Sequence, residues 1–169
     1  MIRRCTEQDL TVMYEIINDA AQAYKGMIPE DRWHEPYMPI EELKQEIEDG
    51  VEFWGYEEAG DLMGVMGLQD KGDVYLIRHA YVRTNGRNRG IGTKLLHHLE
   101  QRTDKPILVG TWTDATWAIR FYEKNGYRRL SRPETERLLK KYWKIPERQV
   151  VTSVVLANPK WKADNEESE

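Results

Sequence analysis

The sequence predicts an α/β protein, a mixed sheet of about seven strands flanked by helices, and three observations carry that prediction. Short runs rich in β-branched and aromatic residues recur along the 169-residue chain. Segments with apolar residues three and four apart alternate with them. The longest continuous pattern, over 74–101, passes from a strand through a Gly-rich loop directly into a helix. The length suits one domain with a real core. That domain is expected over 1–161, with an acidic, polar tail over 162–169 that reads as disordered.

The elements follow in order. Residues 1–5 form a short first strand, after which Thr6 caps a helix with acidic residues in its first turn. Its apolar stripe is Leu10, Met13, Ile17, Ala20 and Tyr24, and the run from Ala23 to Gly26 closes it. Residues 27–39, with Pro29, Pro36 and Pro39, make a loop holding Trp33, His34 and Tyr37. Residues 41–49 read as a second helix with Leu43 and Ile47 inward, ended by Gly50. Strands over 51–56 and 62–68 meet in a hairpin at Ala59, Gly60 and Asp61. Lys71, Gly72 and Asp73 then turn into the strand over 74–82. After the loop, Ile91, Leu95, Leu96 and Leu99 make one apolar stripe. A fifth strand covers 107–112, and Thr113 and Asp114 cap a helix over 117–122. A short strand over 127–130 precedes a helix that Pro133 opens and Pro146 ends, with Leu138, Leu139, Tyr142 and Trp143 on one face. A last strand covers 150–156, and neither a repeat nor a second domain is evident.

Composition excludes several functions. The net charge of −4 gives no basic balance for nucleic acid. Cys5 is the only cysteine, so no disulfide forms within the chain, which suits a reducing compartment, and the thiol is expected to be buried and inert. No signal peptide or membrane span is apparent, so the expected location is the cytoplasm, away from any membrane. His97 and His98 are adjacent, not four apart, so they do not share a helix face as metal ligands would, and His97 should face solvent. No metal site is expected. Six Trp and nine Tyr beside two Phe suit a wet aromatic cleft, and equally suit core and interface packing.

The loop over 84–93 has a definite physical use. Three glycines and the cations Arg87 and Arg89 precede a helix, so backbone N–H groups, the helix dipole and full positive charge converge. An anion, best a phosphate, belongs there. The ending Gly-Lys-Ser/Thr of a P-loop is missing, and so is an evident acidic ribose partner of a Rossmann turn.

Arg87, Asn88, Arg89, Gly90, Ile91 and Gly92 spell R-x-x-G-x-G after the strand end Ala80, Tyr81, Val82. This resembles the pyrophosphate loop of the GNAT superfamily of N-acetyltransferases. About thirty residues on, the run from Ala118 to Tyr127 is similar to the family's second signature, A-x-x-F-Y-x-K-x-G-F/Y. Gly126 falls where a helix end wants positive φ. The resemblance spans roughly 1–157 and implies the GNAT fold, a mostly antiparallel sheet splayed between its fourth and fifth strands. It implies acetyl-CoA (coenzyme A) as co-substrate. Pantetheine would pair with the backbone near Tyr81 and Val82, as an added strand does. The N–H groups from Asn88 to Thr93 would hold the pyrophosphate, and Ala118, Phe121 and Lys124 join the cofactor-binding positions. A fourth-strand N–H would stabilise the oxyanion, and Tyr122 falls where many members protonate the departing thiolate.

The chain departs from the family pattern at several positions. Ala115 stands where an Asn is frequent, Asn88 where the loop often has Gly, and Thr84 where it often has Pro. Some members carry a fifth-strand glutamate as base; the matching position is Gly110, and no carboxylate lies over 74–82. The base is therefore left open between His79 and, through water, Glu52. The implied acceptor is a primary amine of a small molecule, with a protein N-terminus or lysine, or a non-catalytic acyl-CoA-binding module, as alternatives. Trp33, Tyr37, Trp54 and Arg78 are the candidate acceptor residues, an aromatic pocket with one cation. A homodimer is allowed.

Overall fold

A computed structural model describes residues 1–28, 30, 33, 35–86 and 89–162. Pro29, His34, Arg87, Asn88 and the tail over 163–169 lie outside the described residues. The chain divides into two compact units, Met1–Asp70 with Ile77–Thr103, and Lys71–Leu76 with Asp104–Glu169. Seven strands form one mixed sheet in the order β1-β2-β3-β4-β5-β7-β6, flanked by helices.

The first unit begins with β1 (Ile2–Arg4), antiparallel to β2 (Val51–Glu58), which pairs antiparallel with β3 (Asp61–Asp70). The hairpin turn holds Ala59 and Gly60 both at positive φ, the geometry that matches strand twist. Thr6 caps a single 3-10 turn, Glu7–Asp9, in a capping box with Asp9. The helix α1 (Leu10–Ala21) follows directly and buries Met13, Ile16, Ile17, Ala20 and Ala21. Asp9 also takes both outer nitrogens of Arg3, at 2.8 and 2.9 Å, and Arg3 holds the Asp9 carboxyl down at about 2. α2 (Ile40–Glu48) places Leu43 in the core, but Ile47 is 40% exposed, contrary to the expected stripe. The inward face runs through Ile40, Leu43 and half-buried Glu46, because Glu46 has charged partners to meet. Val51 and Phe53 of β2 join Val65 of β3 and the α1 residues in one core.

β4 (Tyr75–Val82) starts in the second unit and continues in the first, where α3 (Ile91–Glu100) buries the predicted stripe Ile91, Leu95, Leu96 and Leu99. On the alternate face of β2, Tyr56 and Trp54 meet Lys94, His98 and Arg102, residues spaced four apart at and just beyond α3.

In the second unit β5 (Ile107–Trp112) matches its predicted bounds. It pairs antiparallel with β7 (Ser153–Ala157), which also pairs with β6 (Arg128–Arg129). α4 (Thr116–Lys124) begins at Ala115 with no side-chain cap, so the expected capping by Thr113 and Asp114 is not made; the Asp114 carbonyl, not its carboxylate, accepts from Thr116 N–H at 2.9 Å. α5 (Arg132–Leu138) has Ser131 as its cap and Pro133 in its first turn. It then widens to a π-helical stretch, Leu139–Trp143, closed by Lys144 at φ +54°. Pro146 opens α6 (Glu147–Val151), so Val150 sits in a helix and the last strand starts at Ser153, not at 150. Val74, Leu76, Leu108, Leu138, Leu139, Tyr142, Val150 and Val155 make this unit's core. Among the described residues no helix is long and apolar enough to cross a membrane.

Candidate active site

After Val82 the backbone makes a 3-10 turn over Thr84–Gly86, and Thr84 N–H donates to the Asp19 carboxylate at 3.1 Å. Arg87 and Asn88, expected to serve the phosphate, lie outside the described residues. Arg89 ion-pairs with Glu58 at the end of β2, and its guanidinium holds the Glu58 carboxyl below the usual range. Arg89 is therefore engaged by Glu58 rather than left unpaired at the loop. Gly90 is the residue before α3 and has φ +76°, a left-handed conformation that a side chain disfavours. Among the described residues, no heavy atom lies within 4 Å of where its Cβ would project. No side chain caps α3, and its first turn carries no acid. The N–H groups of Ile91, Gly92 and Thr93 have no acceptor within the helix. Open space, donors and dipole fit a phosphate group. Tyr81 and Val82 are half-buried at the end of β4, with the Tyr81 ring edge-on to Tyr24 at 6.3 Å.

In the second unit α4 ends in a closure that fixes Tyr122. Tyr127 N–H donates to Tyr122 C=O at 3.0 Å and Gly126 N–H to Glu123 C=O at 3.1 Å, with Gly126 at φ +93°. This pair of bonds is a Schellman motif, which brings the residue after the glycine onto the helix's last turn. The Tyr127 ring accordingly lies 5.6 Å from the Tyr122 ring, and Phe121 meets it edge-on at 5.0 Å. Tyr122 is 4% exposed, Ala118 and Phe121 are half-buried, and Lys124 is exposed. Ala115 is buried, and its carbonyl accepts from both Ala118 and Ile119 N–H at 3.1 Å.

The fifth-strand position that carries a carboxylate elsewhere is filled from outside the strand. A Cβ at Gly110 would lie 3.1 Å from Trp143 Cζ2 and 3.2 Å from Cε2. The indole, carried by the π-helical stretch, lies directly against the glycine. Gly110→Glu is thus expected to destabilise the protein by about 1–3 kcal/mol, as overpacking does, rather than to supply a base. Urea denaturation reads this; an unchanged midpoint would mean the indole moves aside freely.

On β4, His79 has φ +54°. Consecutive strand residues normally face opposite sides, yet Arg78 and His79 both reach one carboxylate. His79 Nε2 is 2.8 Å from Glu46 Oε2, and Arg78 Nη2 donates to Glu46 Oε1 at 3.1 Å. The left-handed residue turns the strand so that both side chains meet α2. Arg78 Nη1 donates to Gln69 Oε1 at 3.2 Å, and Gln69 Nε2 to the Asp49 carbonyl at 3.1 Å. Arg78 therefore has two donor groups engaged within the protein. The His79 ring stacks with Phe53 at 6.2 Å and with Tyr81 at 6.5 Å. Glu46 was not legible as a site residue, since its partners lie 32 and 33 positions away.

Of the other candidates, Trp33 and Tyr37 lie together, their rings 5.5 Å apart, and Tyr37 packs on the core of α1, α2 and β2. Trp54 is not brought to them. It is 8% exposed on the alternate face of β2, between His98 at 4.9 Å and Arg102 at 4.7 Å. Glu52 is exposed and on the face opposite Phe53, paired with Arg4 at 3.8 Å, so it does not join His79. His97 is exposed. Cys5 is half-buried, and burial followed by the charge of Asp9 pushes its thiol up to about 12. Among the described residues no group of three His, Cys, Asp or Glu could hold a metal ion.

A family model described as an acetyltransferase (GNAT) domain matches residues 3–140. The chain belongs to the GNAT acetyltransferase family. No curated protein sequence matches it. Solved structures match at low identity. The PaiA N-acetyltransferase of Thermoplasma acidophilum, in complex with coenzyme A, is 18% identical over 94% of this chain and 97% of its own, with a TM-score of 0.71. A GNAT family acetyltransferase from Elizabethkingia anophelis with acetyl-CoA bound is 18% identical over 94% and 96%, with a TM-score of 0.64. A ribosomal-protein-alanine N-acetyltransferase from Brucella melitensis is 23% identical over 78% and 86%, with a TM-score of 0.61.

Proposed function

We propose that this protein is an N-acetyltransferase of the cytoplasm that moves the acetyl group of acetyl-CoA to the primary amine of a small molecule. The observation that carries the reading is the uncapped N-terminus of α3, with left-handed Gly90 before it, in the stretch that resembles the family's pyrophosphate loop. Acetyl-CoA supplies an activated acyl group. The chain's part is to bind phosphate at the N–H groups of Ile91, Gly92 and Thr93, with Tyr81 and Val82 offering backbone to the pantetheine. Ala118, Phe121 and Lys124 border Tyr122 on α4 or its last turn, and Tyr122 donates a proton to the leaving thiolate. His79 accepts the proton the amine loses. Trp33 and Tyr37, adjacent on the α1–α2 side of the first unit, are offered as the acceptor wall. The lone, protonated thiol of Cys5 is consistent with a reducing compartment.

Thiol release from acetyl-CoA against a panel of small amines, amino acids and an Ala-terminated peptide tests this. A small amine should exceed the peptide in kcat/KM by about 10-fold or more, a margin that differential pocket contacts readily supply. A peptide that wins the panel would make the acceptor a protein N-terminus. Coenzyme A binding with no thiol release from any acceptor would leave a binding module.

A further inference from the structure

Glu46 is unexplained by fold alone. It occupies the inward position of α2 that the apolar pattern assigned to Ile47, and its side chain is only 17% exposed. A carboxylate on a helix face that packs on a sheet costs desolvation unless charged partners meet it. Arg78 meets it on one oxygen and His79 on the other. Both partners come from adjacent positions of one strand, which requires the left-handed φ of His79. A non-glycine residue in that conformation is strained, and such strain is retained where the surroundings over-determine it. The strain, the inward carboxylate and the strand histidine are one arrangement.

We infer that Glu46 is the positioning residue for His79, holding the imidazole with Nε2–H toward the carboxylate and Nδ1 as the basic nitrogen that takes the acceptor amine's proton. The chemistry fixes the tautomer. An ionised carboxylate only accepts, so the nitrogen 2.8 Å away must be the donor, and the neutral ring keeps its lone pair on Nδ1. Among the described residues Nδ1 makes no hydrogen bond. A carboxylate that orients an imidazole and stabilises its protonated form is the division of labour in hydrolytic triads. Arg78 donates to the other Glu46 oxygen, and Gln69 with the Asp49 carbonyl keeps Arg78 in place. In the transfer the amine nitrogen forms its bond to the acetyl carbon and loses one proton to Nδ1, while the C–S bond breaks and the thiolate takes a proton. The number of protons is unchanged overall.

This inference rests on the acetyltransferase reading, and its test separates the two. The charged and titratable groups facing His79 are Glu46 from α2 and Arg78 and Tyr81 from β4; Phe53 of β2 brings a ring without charge. The first measurement needs no turnover: imidazole ¹⁵N shifts of His79, at a pH where it is neutral, should report Nε2–H in the wild type. In Glu46→Gln the tautomer preference should weaken, because an amide can accept or donate. With an acceptor found, Glu46→Gln should lower kcat by about 10-fold or more with the KM for acetyl-CoA unchanged. His79→Gln combined with Glu46→Gln should be no slower than His79→Gln alone, since one acts through the other. An Nδ1–H tautomer in the wild type, or losses that multiply in the double variant, would overturn the assignment. Should Glu46→Gln fail to fold, the wild-type tautomer and the His79→Gln rate still decide it. Wild-type protein that acetylates nothing would instead remove the parent reading.

Discussion

Gly90→Asp should cost the protein its affinity for coenzyme A while leaving it folded. Two effects on folding oppose each other. At φ +76° a Cβ costs about 1–2 kcal/mol, of which Asp loses less than most residues because it tolerates the left-handed region. A carboxylate before a helix that has no side-chain cap returns about 1 kcal/mol. There is also room for it, since nothing described lies within 4 Å of the Cβ position. The effect on binding has only one sign. The carboxylate would accept from the same first-turn N–H groups proposed to hold the pyrophosphate, and would repel it as well. Losing even two charge-assisted bonds, at about 1.5–3 kcal/mol each, weakens binding by about 100-fold or more. Calorimetry with coenzyme A and a far-UV spectrum test both halves. Gly90→Ala is the control: it carries the backbone cost without the charge and should bind within several-fold of wild type. Equal affinity in Gly90→Asp would mean the loop is a turn and no more.

The elements around the loop were legible because each has a strong local pattern. The strand over 74–82, the stripe of Ile91, Leu95, Leu96 and Leu99, the fifth strand and Gly126 all follow from alternation, helical spacing or the demand for positive φ. The C-terminal part was harder. The run from Val150 to Leu156 is rich in β-branched residues, yet only Ser153–Ala157 find partners, opposite Leu108–Trp112 of β5. Pro146 opens a helix in the remainder, where propensity yields to the available pairing. The widening over Leu139–Trp143 carries no sequence signature at all, and with it the contact of Trp143 on Gly110 was invisible.

The site divides along the same line. Gly90, Ile91 and Gly92 announce themselves by type and spacing. Glu46 does not, because in a stretch spelled I-E-E-L-K-Q-E-I-E the apolar Ile47 is the better guess for the inward face. What reverses that guess is a pair of charges on a strand more than thirty residues away, and a backbone angle at His79 that a β-propensity reading never assigns to a histidine. Trp54 fails in the opposite way. Its type suggested a binding wall, but strand alternation sends it to the α3 face, where it meets Arg102 and His98.

Tyr122→Phe is expected to lower kcat by about 100-fold or more and leave acetyl-CoA affinity nearly unchanged, the signature of losing a general acid. The departing thiolate has a conjugate pKa near that of a phenol, so a tyrosine hydroxyl is well matched to protonate it. The ring has packing partners of its own. The Schellman closure at Gly126 brings Tyr127 against it, Phe121 packs edge-on, and only 4% of the residue is exposed. Phe keeps every one of those ring contacts, so folding stability should change by well under the cost of a core truncation, which runs to about 3–5 kcal/mol for an aromatic residue. A rate loss with unchanged stability then reports the hydroxyl in the chemistry. The alkaline limb of the profile should flatten or move in the variant, because in the wild type it would follow ionisation of the phenol. Wild-type turnover with the same alkaline limb in Tyr122→Phe would remove Tyr122 from the chemistry, leave it a packing residue of α4, and shift the weight toward an acyl-CoA-binding module.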